Sequence, residues 1–179
     1  MKLHLGCGPH YIDGMFNVDL RQDCRTDYCG SLFDLMIPEG SVELIWSCHM
    51  LEHLKYPDGV VRCLELCHYW LADGGIIRLA VPDLELVANY YLNRDPNLFK
   101  MYGNAIDEHL YMKNSGAEVF SYFLRGWDHT IVFDFDLLSD LLSDAGFKNI
   151  EKMHFRQSKI GVFPHDRLEM ESMFVEAEK

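Results

Sequence analysis

The runs Leu3-His4-Leu5-Gly6-Cys7-Gly8 and Asn17-Val18-Asp19-Leu20 stand close together near the start of the chain. Each is short and strand-like; the first breaks at two glycines and the second closes on an acid. Two glycines let the backbone turn where a Cβ would collide, and they expose N–H groups to a carboxylate or phosphate. In an open α/β sheet such a turn marks the place where strand order reverses, and a ligand lies there, outside the carboxyl ends of the strands. An acid at the tip of the second strand can accept hydrogen bonds from both hydroxyls of a ribose. Gly6, Gly8 and Asp19 together point to an adenosine-containing ligand.

Further along, Leu44-Ile45-Trp46-Ser47-Cys48 and Ile76-Ile77-Arg78-Leu79-Ala80-Val81 are mostly apolar runs of the kind that become buried parallel strands. Between them Val60, Leu64, Cys67 and Leu71 fall at helical spacing, and Asp73-Gly74-Gly75 stops that helix, which makes a βαβ unit. A second apolar stripe, Phe135, Leu138, Leu142 and Ala145, has Asp134 as its N-cap and Gly146 as its stop. The extended segments Asn149 to Arg156 and Glu169 to Glu176 are placed to pair as an antiparallel hairpin at the sheet edge. The expected fold is α/β: a doubly wound, mostly parallel sheet with a C-terminal antiparallel hairpin. The 179 residues suit one domain, with a helical, lid-like insertion at about 83–126.

Two details disfavour a dinucleotide. Tyr11 fills the position of the third fingerprint glycine, and Asp19 follows Gly6 by 13 residues rather than about 20. The ordinary dinucleotide fold also lacks the terminal hairpin. The crossover from Pro9 to Phe16 is short against the dozen or so residues of a usual βαβ connection, a tension within this reading.

The formal charge of −12 is spread along the chain, and the densest basic cluster, Lys148, Lys152, Arg156 and Lys159, is interrupted by Glu151. Nucleic acid is therefore not expected as a partner, and a small molecule is. No apolar run is long enough to span a bilayer. Met1 and Lys2 lead directly into the first strand without a signal-peptide pattern, so a cytoplasmic protein is expected. Cys7, Cys24, Cys29, Cys48, Cys63 and Cys67 form no CxxC pair and read as free thiols.

Leu3 to Gly8, Asn17 to Leu20, Pro38-Glu39-Gly40-Ser41-Val42-Glu43-Leu44-Ile45 running into His49-Met50-Leu51-Glu52-His53, Gly74-Gly75 and Ala145-Gly146-Phe147 follow one another in that order. These ordered motifs resemble those of class I S-adenosylmethionine-dependent methyltransferases, with a likeness to the small type 11 group. The resemblance covers nearly the whole chain outside about Asp83 to Gly126. It implies that S-adenosylmethionine is bound, with Gly6, Cys7 and Gly8 along the methionine part and Asp19 and Leu20 at the ribose. Leu32 and Phe33 would flank adenine, and Cys48 and His49 would close the far side. Ser31 stands where many relatives carry an acid for the adenine amino group.

Asp128 and His129, just before the last helix, are the candidate general-base pair for a hydroxyl acceptor, with His109 and His53 next in line. His49 and His53 lie one turn apart, but Glu52 and His53 as neighbours should point apart and serve to orient the loop, so no metal is expected. Nine of the chain's 23 aromatic residues fall between Tyr90 and Trp127, a density that suits either a lid over the acceptor or a packed interface. The expected function is methyl transfer to a small molecule, such as a sugar or glycan-intermediate hydroxyl. The alternatives are a non-catalytic S-adenosylmethionine-binding module or partner subunit, and an NAD-linked oxidoreductase.

Overall fold

A computed structural model describes residues 1–100 and 115–179. Five parallel strands form the body of the sheet: β1 (Lys2–Leu5), β2 (Phe16–Asp19), β3 (Tyr28–Cys29), β4 (Val42–Cys48) and β5 (Leu71–Pro82). The helix α1 (Asp58–Trp70) joins β4 to β5, and after β5 come α2 (Leu84–Leu92), α3 (Asn97–Lys100), α4 (Gly116–Arg125) and α5 (Phe135–Asp144). The chain then makes β6 (Lys148–Met153), a small hairpin of β7 (Gln157–Ser158) and β8 (Gly161–Val162), and β9 (Ser172–Glu178).

The sheet order is β3-β2-β1-β4-β5-β9-β6. The chain winds outward from β1 to one edge, then returns to place β4 on the other side of β1. The switch point therefore lies between β1 and β4, as the glycine turn predicts. Both closing segments are antiparallel neighbours, as expected, but β9 is inserted between β5 and β6, which leaves β6 as the edge. Burial follows the order: every residue of β9 but the last is buried, whereas no residue of β6 is fully buried.

The two faces of the sheet are covered differently. Leu3, Leu5, Ile45, Ile77, Leu79, Met173 and Val175 pack against the stripes of α1 (Val60, Leu64, Cys67) and α5 (Leu138, Leu142). The opposite face carries Trp46, Ile76, Ala80 and Phe174 under Ile12, Met15 and Phe163, all from loops. Arg78 is buried on that face and is held by Asp166 at 2.9 Å and Glu176 at 2.7 Å, so the loop is pinned by charge as well as by apolar contact. No helix joins β1 to β2. Asn17 ties the short crossover instead, accepting from Ile12 N–H and donating to the carbonyls of Ile12 and Met15. This resolves the tension over its length.

α2, α3 and α4 pack on one another through Val87, Leu98, Val119 and Phe123, a cluster separate from both sheet faces. Tyr102, His109 and Tyr111 lie outside the described residues. No helix among the described residues is long and apolar enough to cross a membrane.

Candidate active site

The turn after β1 and the acid after β2 form one hydrogen-bonded unit. Gly6 and Cys7 donate their N–H groups to Val18 O at 2.9 and 3.1 Å, and Gly8 donates to Asp19 Oδ2 at 2.6 Å. Asp19 Oδ1 accepts from Arg21 N–H at 2.8 Å. The expectation that the turn offers free N–H groups to an anion is thus not met, because all three are spent within the protein. A carboxylate has about four lone-pair directions, so Asp19, half-buried, retains acceptor capacity for a ligand.

The two glycines differ in purpose. A Cβ on Gly6 would fall 2.4 Å from Met50 Cγ, so Gly6 is needed for the loop after β4 to pass. A Cβ on Gly8 would meet nothing within 4 Å, although φ of +51° disfavours any side chain there. Gly8 therefore borders open space at the switch point, a cradle that fits a cofactor passing close to the backbone. The Cys7 side chain is fully buried, and burial, with Asp19 nearby, pushes its thiol up to about 11, so only its main chain can face a ligand.

Beyond β2, Leu20 is 70% exposed, a ready apolar surface. Leu32 belongs to the main core and Phe33 lies at its margin under the Arg62 guanidinium, 4.8 Å from the ring centre. Ser31 Oγ accepts from Phe33 N–H at 3.2 Å as the cap of a short 3-10 turn, which leaves its hydroxyl proton to donate.

At the end of β4, Cys48 is buried with its thiol raised to about 11, and His49 follows in the left-handed region at φ 51°. His49 Nε2 meets Ser172 Oγ at 2.7 Å, and Nδ1 stands 3.4 Å from Glu52 Oε1. Burial pushes the two apart in the direction of neutrality, His49 down to about 3 and Glu52 up to about 8. Glu52 is fully buried, and neither of its oxygens accepts a hydrogen bond.

Residues 126–130 close over this loop. Thr130 donates its N–H to Glu52 O at 2.9 Å, and its hydroxyl hydrogen-bonds to the carbonyls of Glu52 and Leu54. Trp127 and Asp128 both take positive φ, 52° and 62°, which swings His129 inward. The His129 ring stands edge-on to His53 at 5.1 Å between centres, and its Nδ1 lies 3.1 Å from Phe123 O. A carbonyl only accepts, so Nδ1 carries the proton and Nε2 keeps a lone pair.

Burial, then the neighbouring His53, lowers the His129 pKa. The exposed Asp128 carboxylate bears on His53, and it is the His53 ring that stands against His129. Glu52 and His53 do not simply point apart either: one ligand atom from each, with one from His129, lie within 4.8 Å of one another. Sequence reasoning missed Met50, Thr130 and Ser172, whose parts depend on contacts distant in the chain and leave no local signal.

No protein-family model and no curated protein matches the chain. Solved structures do match. An S-adenosylmethionine-dependent methyltransferase from Archaeoglobus fulgidus superposes with a TM-score of 0.61 at 16% identity, over 99% of this chain and 85% of that one. Another from Thermotoga maritima gives 0.60 at 13%, over 99% and 81%. Haemonchus contortus phosphoethanolamine N-methyltransferase 2, in complex with S-adenosyl-L-methionine, gives 0.55 at 13%, over 99% of this chain and 48% of that one. The fold is that of these Rossmann-like methyltransferases.

Proposed function

We propose that this chain is an S-adenosylmethionine-dependent methyltransferase of the small type 11 group, acting on a hydroxyl of a small molecule such as a sugar or glycan intermediate. One observation carries the reading. The glycine turn and the acid bonded to it stand at the switch point, and the loop after β4 that passes against Gly6 carries His49 and His53, in a sheet whose fold is shared with such enzymes.

When bound, the cofactor supplies an electrophilic methyl group that an acceptor can displace directly. Gly6, Cys7 and Gly8 offer their main chain to its methionine part, and Gly8 leaves the room for it. Asp19 accepts from the ribose hydroxyls, and the hydrogen bond from Gly8 holds it in place. Leu20 and Phe33, with Leu32 beneath, flank adenine, while Cys48 and His49 close the far side.

Displacement of this kind depends mainly on alignment and exclusion of water. The α2–α4 cluster, within the insertion at about 83–126, is the lid. His129 Nε2 takes the proton of the acceptor hydroxyl, and Asp128 acts at one remove through His53.

Calorimetric titration of the purified chain with S-adenosylmethionine, its demethylated product and NAD tests the reading. The first two should bind and NAD should not; preference for NAD would overturn it.

A further inference from the structure

Glu52 is fully buried, and neither carboxylate oxygen has a hydrogen-bond donor. A carboxylate in that position is costly unless a proton or a cation neutralises it. What surrounds it favours a cation. One ligand atom each from Glu52, His53 and His129 lie within 4.8 Å of one another, and His49 Nδ1 flanks Glu52 Oε1 at 3.4 Å. Ligand atoms sharing a tetrahedral ion with bonds of about 2.1 Å stand about 3.4 Å apart, so small ring rotations bring the three into range.

His129 is also set up as a ligand. His129 gives Nδ1–H to Phe123 O and keeps Nε2 as a lone pair, and the His53 ring stands edge-on to it at 5.1 Å between centres. Donation of one ring nitrogen to a carbonyl is how metal-bound histidines are normally held.

We propose that Glu52, His53 and His129 bind one divalent transition-metal ion at the carboxyl end of β4. Two imidazoles and a carboxylate suit Zn²⁺, Mn²⁺, Fe²⁺ or Co²⁺ better than Mg²⁺ or Ca²⁺, which prefer oxygen alone. Three protein ligands leave a position for an exogenous oxygen. On the methyl-transfer reading that oxygen would be the acceptor hydroxyl, made more acidic by the ion and losing its proton to solvent, so His129 would serve as a ligand in the metal-loaded protein and as the base only in the metal-free one. Binding of the ion itself does not depend on that reading.

The test uses the full chain, stripped with chelator and free of cofactor and acceptor. Co²⁺ is titrated by visible absorption and Zn²⁺ by calorimetry, with circular dichroism as the check on folding. One ion per chain is expected, without sulfur-to-cobalt charge transfer. Glu52→Gln and His53→Ala should each weaken binding by about 10-fold or more. His53 is exposed, so its variant keeps the readout should Glu52→Gln fail to fold. Absence of binding would assign a proton to Glu52 and overturn the site. So would binding unchanged by His53→Ala, or binding lost in Cys24→Ser with Cys29→Ser. Because no cofactor is present, these failures are distinct from failure to bind S-adenosylmethionine.

Discussion

Gly8 donates its main-chain N–H to Asp19 Oδ2 at 2.6 Å, so the turn after β1 and the acid after β2 are fixed by each other. Asp19 also accepts from Arg21 N–H, and it orders both loops whether or not a ligand is bound. Asp19→Ala should weaken S-adenosylmethionine binding by about 10- to 100-fold, the scale of charge-assisted hydrogen bonds worth about 1.5–3 kcal/mol. Calorimetry on the folded variant checks this, and unchanged affinity would remove Asp19 from the ribose site.

The two glycines should separate stability from binding. Gly6→Ala forces a Cβ onto Met50 and should lower stability in urea by about 1–3 kcal/mol, the usual cost of overpacking. Gly8→Val places its side chain in open space, so it should lose cofactor binding at the cost of only about 1–2 kcal/mol for the left-handed backbone. Retained tight binding in Gly8→Val would make that turn purely structural.

With an acceptor in hand, His129→Ala should cut turnover by about 100-fold or more while cofactor affinity stays nearly constant. Asp128→Asn should do much less, because its carboxylate acts on His53. Steady-state kinetics beside calorimetry distinguish the two. Turnover of His129→Ala within a few-fold of the parent would place the base elsewhere.

The lid reading predicts that amides of α2 and α4 exchange faster than those of β4 and β5, and slow when cofactor and acceptor are bound together. Their separate apolar cluster is the reason to expect this. Hydrogen exchange followed by mass spectrometry reports it, and equal protection in the free protein would favour static packing.

His4 gives a pH signature. Burial, with Arg167, His165 and His10 nearby, lowers its pKa from 6.5 to about 4, against the hydrogen bond to Asn17. Between those values the unfolded chain takes up a proton that the folded chain refuses. The stability is therefore complete above pH 6.5 and is lost as pH falls towards 4, by on the order of 3 kcal/mol. His4→Phe should show a correspondingly shallower decline in urea unfolding between pH 7 and pH 4.5. Parallel profiles would assign the loss to carboxylates.

Much of the architecture follows from local pattern. Val60, Leu64 and Cys67 at helical spacing, the apolar run of β4, Asp134 as a cap that accepts from Leu137 N–H, and Gly146 at φ 100° each act within a few residues, so periodicity and turn chemistry reveal them. Gly6, Gly8 and Asp19 were legible for the same reason, since they sit at adjoining strand ends close in the chain. Other features belong to the tertiary structure. The three N–H groups of the turn find acceptors on β2 only once the strands pair, so the sequence leaves them looking free. β9 takes the interior position because its burial is decided against β5 and β6 together. Thr130 and Glu52 are 78 residues apart, and only folding brings His129 against His53 and the buried carboxylate. A sequence pattern records which side chains share a face of one element, whereas convergence of side chains from distant elements depends on the packing of the whole sheet.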